Sequence, residues 1–496
     1  MVIELSNLMF TDQDDIVPLS RVKEILINTG IANTLAGNDL LNGDTGNNLS
    51  TPENRLSGIS NTGTLNTADG NDTIIGTGNS ISNTGNSFSG LYNSGTINTD
   101  GGNDVIHGFR DQNSSGYGIY IEIGAIDTGD GDDEIRGMTS ENGAKGIAID
   151  SGSINTSNGD DTIWGRGSEG ITVGSFGIID TGIDNDQIMG VGLFSNAISN
   201  KGAIISGDGN DIIRGNGSYS GGLANYSDGT FIGTINTGDG DDTIRGSGRQ
   251  GILNGSDSII DAGNGNDIIT GIGNTPSSGD TGIRNDGTIN TNNGEDSIIC
   301  SGKFFNAGGV FLGDGNDSLT AHTANNELPG RVFENLNFIG TGDGNDIITS
   351  TGFIYNEGVI DTGNGDDSII VNRAVDSRLP VYGIYNNGGA IITGNGNDSI
   401  IANGTFESGL NNSGSVFLGE GEDYIKGFGN GDFYGGNGTD ILELTPGSYR
   451  VGRWGATVTI AKNTSLMLAT EFEQLIAGDK TYDFTSLTEG QTIVVA

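Results

Sequence analysis

The sequence predicts an all-β protein, a parallel β-solenoid (β-helix) with an acidic, Gly-rich turn edge, and three observations carry that prediction. The first is a turn, T-G-D-G-D-D-T-I at Thr237–Ile244, that recurs along the whole chain of 496 residues. Aligned on the last Asp, fourteen copies stand at Asp72, Asp104, Asp133, Asp161, Asp186, Asp211, Asp242, Asp267, Asp296, Asp317, Asp346, Asp367, Asp398 and Asp423. Asp39 heads a weaker fifteenth. The second is the spacing, 21 to 32 residues between successive aspartates and about 27 on average, which predicts about fifteen coils. The third is composition. With 33% hydrophobic residues and 90 glycines, the chain lacks the apolar volume for several thick cores, but a long thin one suffices for a repeat protein.

Each column of the repeat has a reading. Two residues after the Asp, all fourteen copies carry Ile or Leu, and seven before it all carry Ile, Leu or Val. Apolar side chains flanked by polar residues or Gly at period two argue short strands. Just before the Asp stands Asn, Asp or Glu, and two before stands Gly in thirteen copies. Thr stands five before in ten copies, and Asn stands eleven before in nine. The length variation falls after the D-x-I, so that stretch reads as surface loops on one side of a stacked coil.

Charge sets the second bound. Sixty-four acids against twenty-one bases leave a net charge of −43, which makes nucleic acid and anionic membranes poor partners. Many acids fall in register within the turn. Stacked coils would bring them about 5 Å apart, where two charges repel by about 3 kcal/mol at an effective dielectric near 20. The bases are too few to compensate. A divalent cation would do so, and the turn offers only hard oxygens from carboxylates, amides and Gly-exposed carbonyls. Calcium accepts six to eight such ligands, whereas zinc and copper prefer His and Cys. The chain has two His and one Cys. Multiple calcium ions are therefore the expected cofactor.

These turns resemble the G-G-x-G-x-D-x-U-x nonapeptides of the RTX, or haemolysin-type, secreted bacterial repeat proteins. Gly435-Gly436-Asn437-Gly438-Thr439-Asp440-Ile441-Leu442 matches the motif throughout, and Asp423, Asp432 and Asp440 lie nine and eight residues apart. That stretch looks like a short β-roll. Elsewhere the first Gly is usually Thr, as at Thr128, Thr237, Thr341 and Thr393, and each coil has one such turn. The resemblance implies that the Asp carboxylate and early turn carbonyls hold calcium, with the neighbouring coil completing the shell. Carried over, it implies ligands at Asp72, Asp104, Asp133, Asp161, Asp211, Asp242, Asp267, Asp296, Asp317, Asp346, Asp367, Asp398, Asp423, Asp432 and Asp440. Acids three before the Asp (Asp130, Asp208, Asp239, Asp314, Asp343) are expected to expose their side chains. At Asp186 a weak or missing site is expected, because Ile183 and Asp184 replace a polar residue and the Gly.

In chain order, residues 1–24 lack a basic end followed by an apolar run, so they read as an N-terminal cap with Ile3, Leu5, Leu8 and Phe10. Residues 25–427 are the solenoid array, 428–445 the short β-roll, and 446–496 a C-terminal β cap. Within the array, 111–117, 138–145 and 218–227 read as flexible loops, while 321–329 and 372–380 carry Pro and charge and read as connecting loops, or else as the places for a partner site. Residues 448–462 alternate like a hairpin, and the end runs through F-E-Q-L-I to an uncharged T-I-V-V-A. That tail resembles the uncleaved C-terminal signal of type I secretion. No stretch of eighteen apolar residues exists to span a membrane as a helix.

Nothing in the sequence marks an enzyme. G-x-S-x-G, H-E-x-x-H and a P-loop are absent; His107 and His322 read as surface residues, and Cys300 as a packed small residue. A β-helical polysaccharide lyase or hydrolase is the enzyme alternative, with Arg373, Arg378, Tyr382 and Tyr385 as its nearest cluster. An ice- or carbohydrate-binding solenoid is another, although the two-Thr face of Thr-array ice binders is lacking. The resulting expectation is a secreted calcium-binding repeat protein, structural or adhesive at the cell surface, with calcium as folding ligand. Cell-surface polysaccharide and self-association are the further partners it allows.

Overall fold

The computed structural model describes residues 2–18, 23–46, 57–78, 88–110, 116–140, 143–274, 281–322, 331–372, 382–402, 405–407 and 414–496. They form two compact units, Met1–Asn264 and Gly265–Ala496. Both are parallel β-solenoids built from short strands, the second closed by antiparallel strands, and among the described residues the other regular elements are single-turn 3-10 segments. No helix among the described residues is long and apolar enough to cross a membrane.

One coil of the N-terminal unit shows the pattern. Gly221–Asn225, Thr234–Asn236 and Thr243–Gly248 are its three strands. Each pairs in parallel and in register with its equivalent in the preceding coil, as Ile235 does with Ile204 and Ile244 with Ile213. Alternation puts the isoleucines of both conserved columns inside; Ile204, Ile213, Ile235 and Ile260 are fully buried. Burying such a side chain contributes about 1.5–3 kcal/mol, repeated at every coil. The C-terminal unit stacks the same way, with Ile289, Val310, Ile339, Ile360 and Ile391 in one buried column.

Buried polar ladders line the corners. Asn61 Nδ2 donates to Asn93 Oδ1 (2.8 Å), Asn200 to Asn225 (2.9 Å), and in the C-terminal unit Asn285 to Asn306 and Asn306 to Asn335 (2.8 Å each). The Asn column is thus a cross-coil ladder. The Thr column is also internal, with Thr67, Thr99, Thr128 and Thr237 fully buried, so it presents no outward face.

The expected loops are corrected in part. The stretch after D-x-I holds a strand in most coils, such as Lys145–Ile149, Gly221–Asn225 and Gly116–Ile121. Its large buried apolar residues are few, Ile119 and Ile121 in one strand and Leu223 in another, so the inward pattern is weak in the sequence. Residues 111–115, 141–142, 323–329 and 373–380 of the predicted loops lie outside the described residues, as do Arg373 and Arg378.

At the start, Val2–Glu4 pairs with Ile25–Asn28 and Leu5 is fully buried, while Leu8 is exposed. At the end, Gly447–Trp454 and Thr457–Lys462 form the expected antiparallel hairpin, and Thr492–Val495 pairs antiparallel with the hairpin's first strand. Residues 428–445 continue the stack as a short coil with two strands, Gly431–Gly438 and Ile441–Glu443.

Candidate metal centre

Every coil carries its D-x-I aspartate at the same corner, and the structure makes these aspartates a continuous internal column in each unit. In the N-terminal unit the backbone N–H of Asp39 donates to Asp72 Oδ1 (2.8 Å), Asp72 to Asp104 (2.7 Å), Asp104 to Asp133 (2.7 Å) and Asp133 to Asp161 (2.8 Å). The series continues through Asp186, Asp211 and Asp242. In the C-terminal unit it runs from Asp267 through Asp296, Asp317, Asp346, Asp367, Asp398 and Asp423 to Asp440. Each of these aspartates is at most 2% exposed.

Glycine makes the close stacking possible. At Gly131, φ is +143° and a Cβ would stand 2.0 Å from the carbonyl oxygen of Gly102 in the preceding coil. That conformation and that space admit only Gly.

One carboxylate oxygen is used in each ladder bond, and the other is left over. Oδ2 of every aspartate in both columns is buried without a hydrogen-bond partner. The Thr hydroxyl five residues earlier is the nearest relief. Thr156 Oγ1 donates to the carbonyl of Thr181 in the next coil (3.2 Å), and it also bears on Asp161, lowering that carboxyl's pKa. A single hydroxyl proton serves one acceptor at a time, so the second oxygen keeps no full partner.

The electrostatic consequence is large. Burial raises the carboxyl pKa of Asp104, Asp133, Asp161, Asp186, Asp242, Asp317 and Asp367 to about 7. Asp72, Asp398, Asp423 and Asp440 rise to about 6 by the same cause. Asp39, Asp211, Asp296 and Asp346 are raised as well. Neighbouring carboxylates of the column add to the rise, as Asp133 and Asp72 do at Asp104. Desolvation and like charge both disfavour the ionised form.

Two placements differ from expectation. Asp432 lies outside the column: it sits in the strand Gly431–Gly438, opposite Ser415. The nine-residue spacing suggested a second turn there, but this coil has its turn at one edge only. Asp186, where a weak or missing site is expected, keeps the same ladder bonds, and Asp184 stands at a positive φ of 84° where Gly131 and Gly159 stand at 143° and 132° in their copies. Asp tolerates that region better than most residues, which is how the copy survives.

Glu473 went unrecognised. Its Oε2 accepts from the N–H of Asp440 (2.7 Å), ending the column where another Asp would stand. The signal was present, since Glu473-Gln474-Leu475 repeats the D-x-I pattern and Leu475 pairs with Leu442.

The acids three before the Asp expose their side chains as expected, and their carbonyls accept from the preceding coil, as Asp130 does from Gly102 N–H (2.9 Å). Among the described residues no three His, Cys, Asp or Glu side chains converge on one point. Holding a cation would therefore require aspartates of adjacent coils together with turn carbonyls. Cys300 is fully buried, and burial pushes its thiol up to about 12, which leaves it inert. His107 is not freely solvated, because its Nε2 lies 2.5 Å from Glu134 Oε1.

No family model and no curated protein matches the chain. Among solved structures it is similar to a hyperactive, Ca2+-dependent, beta-helical antifreeze protein from an Antarctic bacterium, with a TM-score of 0.31 and 20% identity. That match covers 81% of this chain and 82% of the other. The likeness is too distant to carry function from one chain to the other.

Proposed function

We propose that the chain is an extracellular calcium-binding solenoid with a structural or adhesive role at a cell surface and no catalytic activity. The row of buried Oδ2 atoms supports this reading. At neutral pH each is a desolvated acceptor beside other carboxylates, and leaving such a group unsatisfied costs about 1–3 kcal/mol. The donor set is all hard oxygen: aspartate carboxylates of adjacent coils and carbonyls of the Gly-rich turn. Calcium suits that set and tolerates irregular geometry, whereas magnesium demands a strict octahedron. The resemblance of the turns to RTX nonapeptides supports the same ion.

Bound calcium would supply the positive charge that the column lacks. The chain's own residues position the carboxylates through the Oδ1 ladder and keep water from Oδ2. Where calcium is scarce the repelling column would disfavour folding, and extracellular calcium, binding only the folded state, would draw the chain into shape. Such a switch suits export in an unfolded form, which the uncharged C-terminal tail also suits.

Equilibrium dialysis of the whole chain against calcium and magnesium tests the ion. The expected result is uptake of several calcium ions per chain, with magnesium unable to displace them. Uptake of less than one ion, or equal uptake of magnesium, would contradict it.

A further inference from the structure

Three columns of side chains point outward from the D-x-I strands of the N-terminal unit. Across six consecutive coils the middle column reads His107, Arg136, Trp164, Met189, Arg214 and Arg245, each in register with the next. The column beside it carries Phe109, Met138, Arg166 and Val191. This face holds four arginines and one acid, Glu134, in a chain with 64 acids and 21 bases.

Glu134 is already engaged. It meets Arg136 at 2.7 Å and His107 at 2.5 Å. Arg166, Arg214 and Arg245 have no carboxylate partner among the described residues, and Nε of Arg136 and Arg245 is buried without an acceptor. Unpaired guanidinium groups are out of character in so acidic a chain. Acids are abundant in the sequence, and among the described residues none besides Glu134 lies on this face. Between the arginines lies apolar and aromatic surface: Arg136 sits 5.8 Å from the centre of the Trp164 ring, and His107 and Phe109 pack edge to face.

We propose that this face binds an extended carboxylated polysaccharide. Arg166, Arg214 and Arg245 pair with its carboxylates and Trp164 stacks on a sugar ring. The guanidinium fork matches a carboxylate in a two-pronged contact. An aromatic ring offers a flat apolar surface to the C–H face of a sugar. Strands repeat every 4.7–4.9 Å, roughly, so the face is a ladder of equivalent positions suited to a polymer with one charge per residue. The chain's net negative charge acts only weakly against such a ligand, because charges more than about 8 Å away are screened at physiological salt. This inference names a partner for the adhesive reading above, and it rests on a face separate from the aspartate column.

Affinity electrophoresis of the whole chain in calcium-containing buffer, through gels holding dilute polygalacturonate, tests the proposal. Dextran, dextran sulfate and poly(dT) are the comparison polymers. Polygalacturonate should retard the native chain and neutral dextran should not. The variant Arg166→Ala/Arg214→Ala/Arg245→Ala should bind at least about tenfold more weakly, with an unchanged circular dichroism spectrum. Arg214→Ala alone, at an exposed position, should weaken binding severalfold and covers the case in which the triple variant misfolds. Absence of retardation, or preference for dextran sulfate or poly(dT), would overturn the proposal. So would undiminished retention of the triple variant, because binding would then come from calcium bridging at the turns. A chain that binds calcium but not polygalacturonate would sink this inference and leave the calcium reading standing.

Discussion

Asp160 and Asp161 are neighbours in sequence, yet they belong to opposite kinds of column. Asp161 is buried, hands Oδ1 to the N–H of the preceding coil, and has its carboxyl raised to about 7 by burial. Asp160 is exposed and hands Oδ1 to the N–H of Asn185 in the following coil, a bond that lowers its pKa. The outer column runs the length of the N-terminal unit in that sense: Asn71 accepts from Asn103, Asp132 from Asp160, and Asn210 from Asp241. The two ladders point in opposite directions along the stack. Both are in-register acids and amides, and only the inner one builds up a free-energy debt. Repetition of an acid alone does not point to a cation; on the reading proposed above, repetition of a desolvated, half-partnered acid does.

The largest expected effect comes from breaking the inner column at one coil. Asp161→Ala strands the N–H of Asp133 and leaves a void, which should cost about 1–3 kcal/mol in saturating calcium. Asp161→Asn separates ladder from charge. Its amide oxygen can still accept from Asp133, so in EDTA at pH 8 the variant should keep more β signal than the native chain, while taking up less calcium. Less β signal than the native chain in EDTA would mean that the carboxylate is stabilising without the ion.

The inner column also fixes the sign of the pH dependence. Its folded-state pKa values, about 6 to 7 where they are largest, lie above the unfolded value near 3.9. The unfolded chain releases these protons first, so the stabilising contribution is complete below about pH 4 and is lost as pH rises through 6 to 7. In EDTA the melting temperature should therefore fall between pH 5 and pH 8. Calcium, which needs the ionised form, should flatten or reverse that slope. A calcium-free chain most stable at pH 8 would show that the carboxyls are not desolvated. The smallest effect belongs to the outer column: Asp160→Asn should leave calcium uptake unchanged and barely move the melting temperature.

Much of this was legible in the sequence, because the residues that build the coil recur at fixed distances from the Asp. Ile at two after and at seven before, and Gly at two before, gave strand positions, inward faces and the tight corner. The rest was illegible for physical reasons. Asp160 and Asp161 read alike, since burial is a property of the stack and not of the residue. The third strand hid in Gly-rich stretches such as Gly221–Asn225, where only Leu223 carries a large apolar side chain inward. Glu473 was missed because it stands 33 residues beyond Asp440, after a hairpin interrupts the period. Asp432 stands nine residues after Asp423, a spacing that suggests a turn, but the chain runs there as a strand. The arginine face is not legible in the sequence, since its successive members lie 25 to 31 residues apart and meet only through parallel register.

The most direct measurement is far-UV circular dichroism of the whole chain in EDTA at pH 8, followed by titration with calcium and then magnesium. A weak β signal that rises cooperatively with calcium and not with magnesium is the predicted result. A β spectrum already complete in EDTA, unmoved by calcium, would contradict it: the buried aspartates would then be carried by isoleucine packing and the Asn and Thr ladders alone.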